Sequence, residues 1–268
     1  MEHPLIISLR EIFLTPTHLG MTMEYACGGD LHRYLLNQPG CRLPESEAKW
    51  IFQQLIIALD YSHRRGVSNR DLKLENLLLE TSTDAQTRPV LKMCDFGYSK
   101  HEMNSSAKTV VGTATYMAPE ILLGGLEKGT IYDAKKADAW AAGIILYALV
   151  FGRHPFNPDD PHHNRKLVAC DYTLPNDSAV SVDCRRIIQS LLVADPVKRM
   201  STHEVMNDPW FIDGIPSGAL QMNERLLARH ESEYGSNQGQ KMPYRVDQLV
   251  EMACMPGSTD QEVLYLTL

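Results

Sequence analysis

Between Pro44 and Gly66, apolar residues fall at Ala48, Ile51, Phe52, Leu55, Ile56 and Leu59, the three-and-four spacing of one helix face. Glu45 and Glu47 lie at the start of this stretch and Arg64-Arg65 at its end, the charge order a helix dipole favours, so a long helix is predicted here. Two short apolar runs follow, Leu77-Leu78-Leu79 and Val90-Leu91-Lys92-Met93-Cys94, separated by the polar stretch Thr81 to Pro89; both read as buried strands. Ahead of the helix, residues 5–14 and 19–25 read as a two-stranded hairpin turning at Thr15-Pro16-Thr17, closed by Gly28-Gly29 as a hinge. Two strands alone make a marginal sheet. Ala139 through Phe151 is apolar on every side, the pattern of a helix buried all round, and is too short to cross a bilayer. Helices are predicted near 138–152, 181–193 and 202–207, and residues 98–117 form an irregular segment whose length points to function. Beyond residue 213 the pattern weakens. Gly214, Pro216 and Gly218 break it, residues 235–240 are polar and rich in Gly and Gln, and Val246 to Met252 could form a short helix in an otherwise mobile tail.

At 268 residues and 44% apolar content, the chain is expected to fold as one large domain with a tail. A net charge of −7 argues against a nucleic-acid partner and is compatible with basic peptides. The six cysteines, at 27, 41, 94, 170, 184 and 254, form no C-x-x-C pair, which fits a reducing compartment better than a disulfide framework or zinc site. No charged segment leads into an apolar one at the start, so no signal peptide and no membrane partner are expected. The expected location is intracellular, cytoplasmic or nuclear.

The chemistry is concentrated in Ser68-Asn69-Arg70-Asp71-Leu72-Lys73-Leu74-Glu75-Asn76, followed by Asp95-Phe96-Gly97 and then Ala118-Pro119-Glu120. Phosphoryl transfer needs a group that orients and deprotonates a hydroxyl, a cation against the transferred phosphate, and oxygen ligands for Mg²⁺. Asp71, Lys73, and the pair Asn76 and Asp95 can supply them in that order. Either tripeptide alone is a weak signal; their order and spacing in one chain are strong.

On these motifs the chain resembles a eukaryotic Ser/Thr protein kinase over about residues 3–212. Within that superfamily it is most similar to the plant stress-activated branch of SNF-related kinases. The branch likeness rests on His3-Pro4, Leu14-Thr15-Pro16-Thr17-His18-Leu19, Met23-Glu24-Tyr25-Ala26, the catalytic stretch and Cys94-Asp95-Phe96-Gly97-Tyr98-Ser99-Lys100. Lys73, two residues after Asp71, resembles Ser/Thr rather than Tyr kinases. The implied fold is α+β and protein-kinase-like, a mainly helical C-lobe with a remnant of the N-lobe sheet. Residues 1–26 would be that remnant, 27–212 the C-lobe and 213–268 the tail.

The resemblance also implies roles. Asp71 would be the base, Lys73 the γ-phosphate cation, and Asn76 with Asp95 the Mg²⁺ ligands beside ATP. Met23 would be the gatekeeper, Glu24 and Ala26 the adenine-bonding hinge, Leu78 the adenine floor and Asp30 the ribose and substrate-Arg acceptor. Thr109 resembles the activating phosphosite set by an upstream kinase, with Ser105 and Ser106 as competing acceptors and Arg70 as the cation that would pair with its phosphate. Thr113 would touch the catalytic Asp and Lys beside the substrate hydroxyl, and Tyr116 and Pro119 would shape that shelf. Glu75, with Asp30, could receive Arg side chains of protein substrates. Glu120 should pair with Arg199, and Asp138 should hold the catalytic-loop backbone. Asn69 stands where the family usually has His, which puts loop geometry rather than chemistry in question.

The family also places a Gly-rich loop and a Lys-bearing strand ahead of these motifs. No G-x-G-x-x-G precedes Asp71, and residues 1–25 contain no Lys. Against the family pattern roughly seventy further residues are expected ahead of Met1, which would then be an internal methionine of a longer frame, and without them apolar faces of residues 5–25 would lack a partner. In the branch a short C-terminal helix packs on an N-lobe helix; if Val246 to Met252 is its counterpart, that surface is gone. Two functions stay open: a kinase, weakly active or inactive as the isolated chain, or a kinase-derived scaffold or decoy that binds substrates or regulators without turnover.

Overall fold

The computed structural model describes residues 2–15, 18–82, 84, 87–95, 100–101, 114–126, 132–234 and 266–267. In chain order the elements are a hairpin of β1 (Leu9–Leu14) and β2 (Leu19–Met23), helix α1 (Leu31–Leu36), the long helix α2 (Glu45–Arg64), and strands β3 (Val67–Ser68), β4 (Leu77–Glu80), β5 (Val90–Met93) and β6 (Lys100–His101). There follow α3 (Pro119–Leu126), α4 (Ala134–Phe151), α5 (His163–Ala169), α6 (Val182–Leu191), α7 (Thr202–Met206), α8 (Pro209–Ile212), α9 (Met222–Tyr234) and β7 (Leu266–Thr267). The fold is α+β, helical in the main body with small antiparallel ladders β2-β1-β7, β3-β6 and β4-β5.

The core is built on α2 and α4. Helix α2 takes its full predicted length because its apolar stripe, Ile51, Phe52, Leu55, Ile56 and Leu59, is wholly removed from water. Helix α4 is started by Asp133, whose carboxylate accepts from the backbone N–H of Lys135 and Lys136, and it buries Ala139 through Val150. Gly143 lets α6 cross close to α4: a Cβ there would stand 2.8 Å from the Leu191 Cβ. Arg199, with no exposed side-chain surface, donates to both Glu120 oxygens at 2.7 and 2.8 Å, tying α3 to the loop before α7. This is the pair expected from the sequence.

Three expectations need correction. Strand β1 begins at Leu9 rather than residue 5, because Leu5 and Ile6 find burial against β5 instead: Ile7 N–H donates to Met93 O at 3.0 Å and Met93 N–H to Leu5 O at 2.8 Å. The second strand ends at Met23 rather than residue 25. The hairpin is joined by a third strand, β7, paired antiparallel with β1 through Glu11 opposite Thr267 and Ile12 opposite Leu266. The expected helix at 246–252 lies outside the described residues.

Beyond residue 213 the chain also forms a helix the sequence pattern did not reveal, α9, and it is fixed to the core by a buried polar knot. Asn223 Nδ2 donates to Ile57 O at 3.0 Å and to Asp60 Oδ2 at 2.9 Å, which makes its Oδ1 the acceptor for His3 Nε2 at 3.1 Å. His3 Nδ1 accepts from Leu5 N–H at 3.1 Å, so the ring is the neutral tautomer with its proton on Nε2. Tyr61 packs against it at 4.7 Å between ring centroids. Arg64 adds a bidentate pair to Glu224 at 2.6 and 3.0 Å on the exposed side.

Burial pushes the His3 pKa down from 6.5 to about 4, the Asn223 bond opposes this, and nearby Lys92 adds to the lowering. The folded state therefore prefers neutral His3 while the unfolded chain takes up a proton below pH 6.5. The stabilisation is complete above pH 6.5 and is lost as pH falls toward 4. In chemical denaturation, the native chain should lose on the order of 2–3 kcal/mol more than His3→Gln between pH 7 and pH 4. Parallel pH profiles for the two proteins would contradict this.

Candidate active site

The loop between β3 and β4 carries Asn69 to Asn76, and it is held from beneath by one carboxylate. Asp138, on the second turn of α4 and 1% exposed, accepts from Asn69 N–H at 2.8 Å (Oδ2) and from Arg70 N–H at 2.9 Å (Oδ1). Its Oδ2 also meets His63 Nε2 of α2 at 2.8 Å, and His63 Nδ1 lies 3.3 Å from the Thr202 hydroxyl of α7. These bonds hold Arg70 in the left-handed region at φ 68°, where a non-glycine residue is strained.

Above that anchor the polar side chains meet. Lys73 Nζ donates to Asp71 Oδ2 at 2.8 Å, and Asn76 Nδ2 donates to Asp71 O at 2.9 Å and Asp71 Oδ2 at 3.2 Å. The Lys73 pKa is raised, first by the Asp71 hydrogen bond, against a desolvation penalty, with Asp71, Glu75 and Asp95 charges adding to the rise. Lys73 is thus a cation at any working pH, and the field of Asp95 reaches it.

Asp95 arrives from the neighbouring strand. The β4-β5 register sets Leu77 opposite Met93, so Asn76 and Cys94-Asp95 flank the same end of that ladder. Cys94 N–H donates to Asn76 O at 2.9 Å, and Asn69 Nδ2 donates to Asp95 O at 3.1 Å. Asn69 Oδ1 in turn accepts from Asp71 N–H at 3.2 Å. Asn69, which stands where the resemblance implies His, is therefore a bridge: fully buried, it ties the backbone of Asp71 to that of Asp95. Asp95 is exposed and left-handed, at φ 58°.

The hinge residues are placed as follows. Gly28 N–H donates to Leu79 O and Leu79 N–H to Gly29 O, both at 2.8 Å, and Asp30 bridges Leu78, so the chain leaving the hairpin is laid against β4. Met23 is exposed, Ala26 is buried and Leu78 is half-buried. Glu24 bonds buried Lys92, an ion pair the sequence reading missed because Lys92 sits in an apolar strand pattern. Burial raises the Glu24 pKa, but the hydrogen bonds from Lys92 and the Ser8 backbone, with the Lys92 and Arg10 charges, together outweigh it and hold the carboxyl below its ordinary range. Asp30 caps α1, accepting from Arg33 N–H at 2.8 Å.

Glu75 is exposed at the rim. Beside it, the Tyr116 hydroxyl accepts from Leu74 N–H at 3.4 Å and the ring meets His154 edge-on at 5.2 Å. A cleft under the loop is lined by Arg70, Leu72, Tyr116, Ile121, Tyr132 and Asp138. Burial raises the Tyr132 pKa, and the Arg70 charge and hydrogen bond partly oppose it. Thr109, Thr113, Ser105 and Ser106 lie outside the described residues. His63 and Tyr132 were not singled out from sequence; His63 could have been, as a histidine inside the apolar stripe of a buried helix.

Oxygen donors suited to Mg²⁺ are present: the Asp95 carboxylate, and Asn76 Oδ1, since Nδ2 of that amide is spent on Asp71. Among the described residues no three His, Cys, Asp or Glu stand close enough to enclose a metal. A Mg²⁺ here would take its remaining ligands from water and phosphate, as Mg²⁺ usually does.

Residues 1–211 match the protein kinase domain family. The chain is 39% identical over 273 residues to serine/threonine-protein kinase SRK2E of Arabidopsis thaliana, covering 100% of this chain and 72% of that protein. It is 40% identical over 231 residues to serine/threonine-protein kinase SRK2A of Physcomitrium patens, covering 84% and 63%. It is 43% identical over 222 residues to serine/threonine-protein kinase SAPK1 of Oryza sativa subsp. japonica, covering 81% and 62%. The chain thus spans between 62% and 72% of the length of these three curated relatives.

Replacing Asn69 by Ala removes both halves of its bridge and leaves the Asp95 carbonyl and Asp71 N–H without that partner. A loss of about 1–3 kcal/mol in urea denaturation is expected. An Asn69→Ala protein as stable as the native chain would show that the bridge carries no weight.

Proposed function

The chain belongs to the protein kinase family, and from that premise we propose that it is built for transfer of the ATP γ-phosphate to Ser or Thr hydroxyls of protein substrates. The observation that carries this reading is the convergence of Asp71, Lys73 and Asn76 on one carboxylate oxygen, with Asp95 delivered to the same end of the β4-β5 ladder. Asp71 takes the proton of the acceptor hydroxyl onto its carboxylate. Lys73, 2.8 Å away, keeps its charge and neutralises negative charge that builds on the moving phosphoryl group. Asn76 and Asp95 would hold Mg²⁺, which when bound would neutralise charge on the phosphates of ATP. Met23, Glu24, Ala26, Asp30 and Leu78 form the nucleotide's adenine and ribose side.

Regulation and specificity follow the same reading. Phosphorylation of Thr109 by an upstream kinase orders the segment Ser99 to Thr113 through the Arg70 guanidinium. Exposed Glu75, with Asp30, favours Arg-bearing peptides over neutral ones. The five described cysteines are all free, which supports a reducing intracellular compartment.

For the 268-residue polypeptide by itself, we propose slow turnover, since catalysis of this type rests on positioning and preorganised charge, and nothing ahead of Asp71 spells a phosphate-covering G-x-G-x-x-G. The second reading is a scaffold that binds substrates or regulators without turnover. Fusing the Gly-rich loop, Lys strand and helix of a relative ahead of His3 separates the two. The fusion should phosphorylate a basic Ser/Thr peptide in Mg·ATP, and Asp71→Asn should lower kcat by about 10²–10⁴-fold. A fusion that binds Mg·ATP yet transfers nothing would favour the scaffold.

A further inference from the structure

The β4-β5 ladder has two faces, and only one of them belongs to the core. Leu77 pairs with Met93 and Leu79 with Leu91, and all four side chains are fully removed from water. Leu78 pairs with Lys92 between them, so these two share the other face, which the chain leaving the hairpin crosses through the Asp30–Leu78 bridge. Lys92 is nevertheless buried, at 8% exposure. Its ammonium meets Oε1 of the Glu24 carboxylate, and Oε2 of Glu80, on the same ladder face, stands 3.6 Å away. An apolar side chain of equal length would fill that space without the cost of desolvating a charge, and a buried ion pair is often no more stabilising than such a residue. What the pair does instead is orient Glu24.

Glu24 is gripped at two points, and both trace back to β5. Its main chain is held through Ser8: Glu24 N–H donates to Ser8 O at 2.9 Å, and Ile7, beside Ser8, donates its N–H to Met93 O at 3.0 Å. Its carboxylate is held by Lys92 through one oxygen and by Ser8 N–H, at 3.2 Å, through the other. The main-chain attachment alone leaves the residue free to turn. The second attachment, at the end of the side chain, fixes that turn and with it the direction of the Glu24 carbonyl.

We propose that Lys92 is the positioning residue for base recognition: its ion pair with Glu24 aims the hinge carbonyl at the exocyclic amine of adenine, and so sets the preference for adenine over 6-oxopurine nucleotides. This rests on the nucleotide-site reading above and adds to it a residue of β5 that stands outside the hinge. A 6-oxopurine presents an acceptor where adenine presents that amine. A carbonyl held in place therefore rejects it, and a carbonyl free to turn away rejects it less.

The test is equilibrium binding of fluorescent ADP and IDP to the full 268-residue chain, as native, Lys92→Met, Glu24→Gln and doubly substituted proteins. The native chain should favour ADP, and either single substitution should lower the ADP-to-IDP affinity ratio by about tenfold. The double substitution should lower it no further than either one, because both remove the same pair. Without nucleotide, Lys92→Met should speed amide hydrogen exchange at Ser8 and Glu24 by about tenfold, leaving α4 unchanged. A preference for ADP that survives in Lys92→Met, additive losses in the double substitution, or unchanged exchange at Ser8 and Glu24 would overturn the proposal and leave the nucleotide-site reading standing. Faster exchange in α4 as well would make Lys92 a merely structural residue, which overturns it too. A native chain that binds neither nucleotide, or both equally, would remove the adenine-hinge reading and this proposal together.

Discussion

One buried carboxylate sets the geometry on which the rest depends. Asp138 spends its oxygens on the backbone N–H groups of Asn69 and Arg70 and on the His63 ring, all inside the α2-α4 core. A charge in that position is tolerated only because donors surround it, and removing either side leaves an unpaired group at a cost of several kcal/mol. The catalytic loop is consequently an extension of the core rather than a surface segment. Arg70 keeps its left-handed backbone, and Asp71 begins the functional cluster one residue later.

From that anchor two bridges run outward. Asn69 carries the constraint to Asp95, and the Asp71, Lys73, Asn76 cluster collects around one oxygen. The strand that delivers Asp95 is itself pinned at Met93 by Leu5 and Ile7, which hang from His3 and through it from Asn223 of α9. Helix α9 is therefore joined to the strand that delivers Asp95 by a short series of hydrogen bonds. Glu24 and Lys92 make a parallel link from the hairpin to the same strand.

Much of this was legible in the sequence, for identifiable reasons. Helix α2 has a regular apolar stripe and helix α4 an unbroken apolar run, and β4 and β5 are short apolar runs between polar breaks, so periodicity located all of them. Asp71, Lys73, Asn76 and Asp95 stood out because a rare order of residue types recurs at fixed spacing, and the backbone role of Asp138 and the Glu120–Arg199 pair followed from the same likeness. What escaped depends on tertiary partners. Helix α9 has only Met222, Leu226 and Leu227 as an apolar strip, and its fixing residue is a polar Asn whose value lies in Asp60 and His3, distant in sequence. Residues 5–7 read as hairpin because alternation cannot say which strand a strand will pair with. The substitution of Asn69 for the usual His looked like a weakness until its two bonds were seen, one as donor and one as acceptor.

The central claim is that Asn76 and Asp95 face a common point where a Mg²⁺-bound phosphate fits beside Asp71 and Lys73. Crystals of the chain grown with Mn²⁺ and an adenine nucleotide test it directly through the anomalous signal of the metal. The account predicts a peak about 2.1 Å from both Asn76 Oδ1 and an Asp95 carboxylate oxygen, with phosphate oxygens on the Lys73 side. An ordered nucleotide whose metal touches neither residue would contradict it.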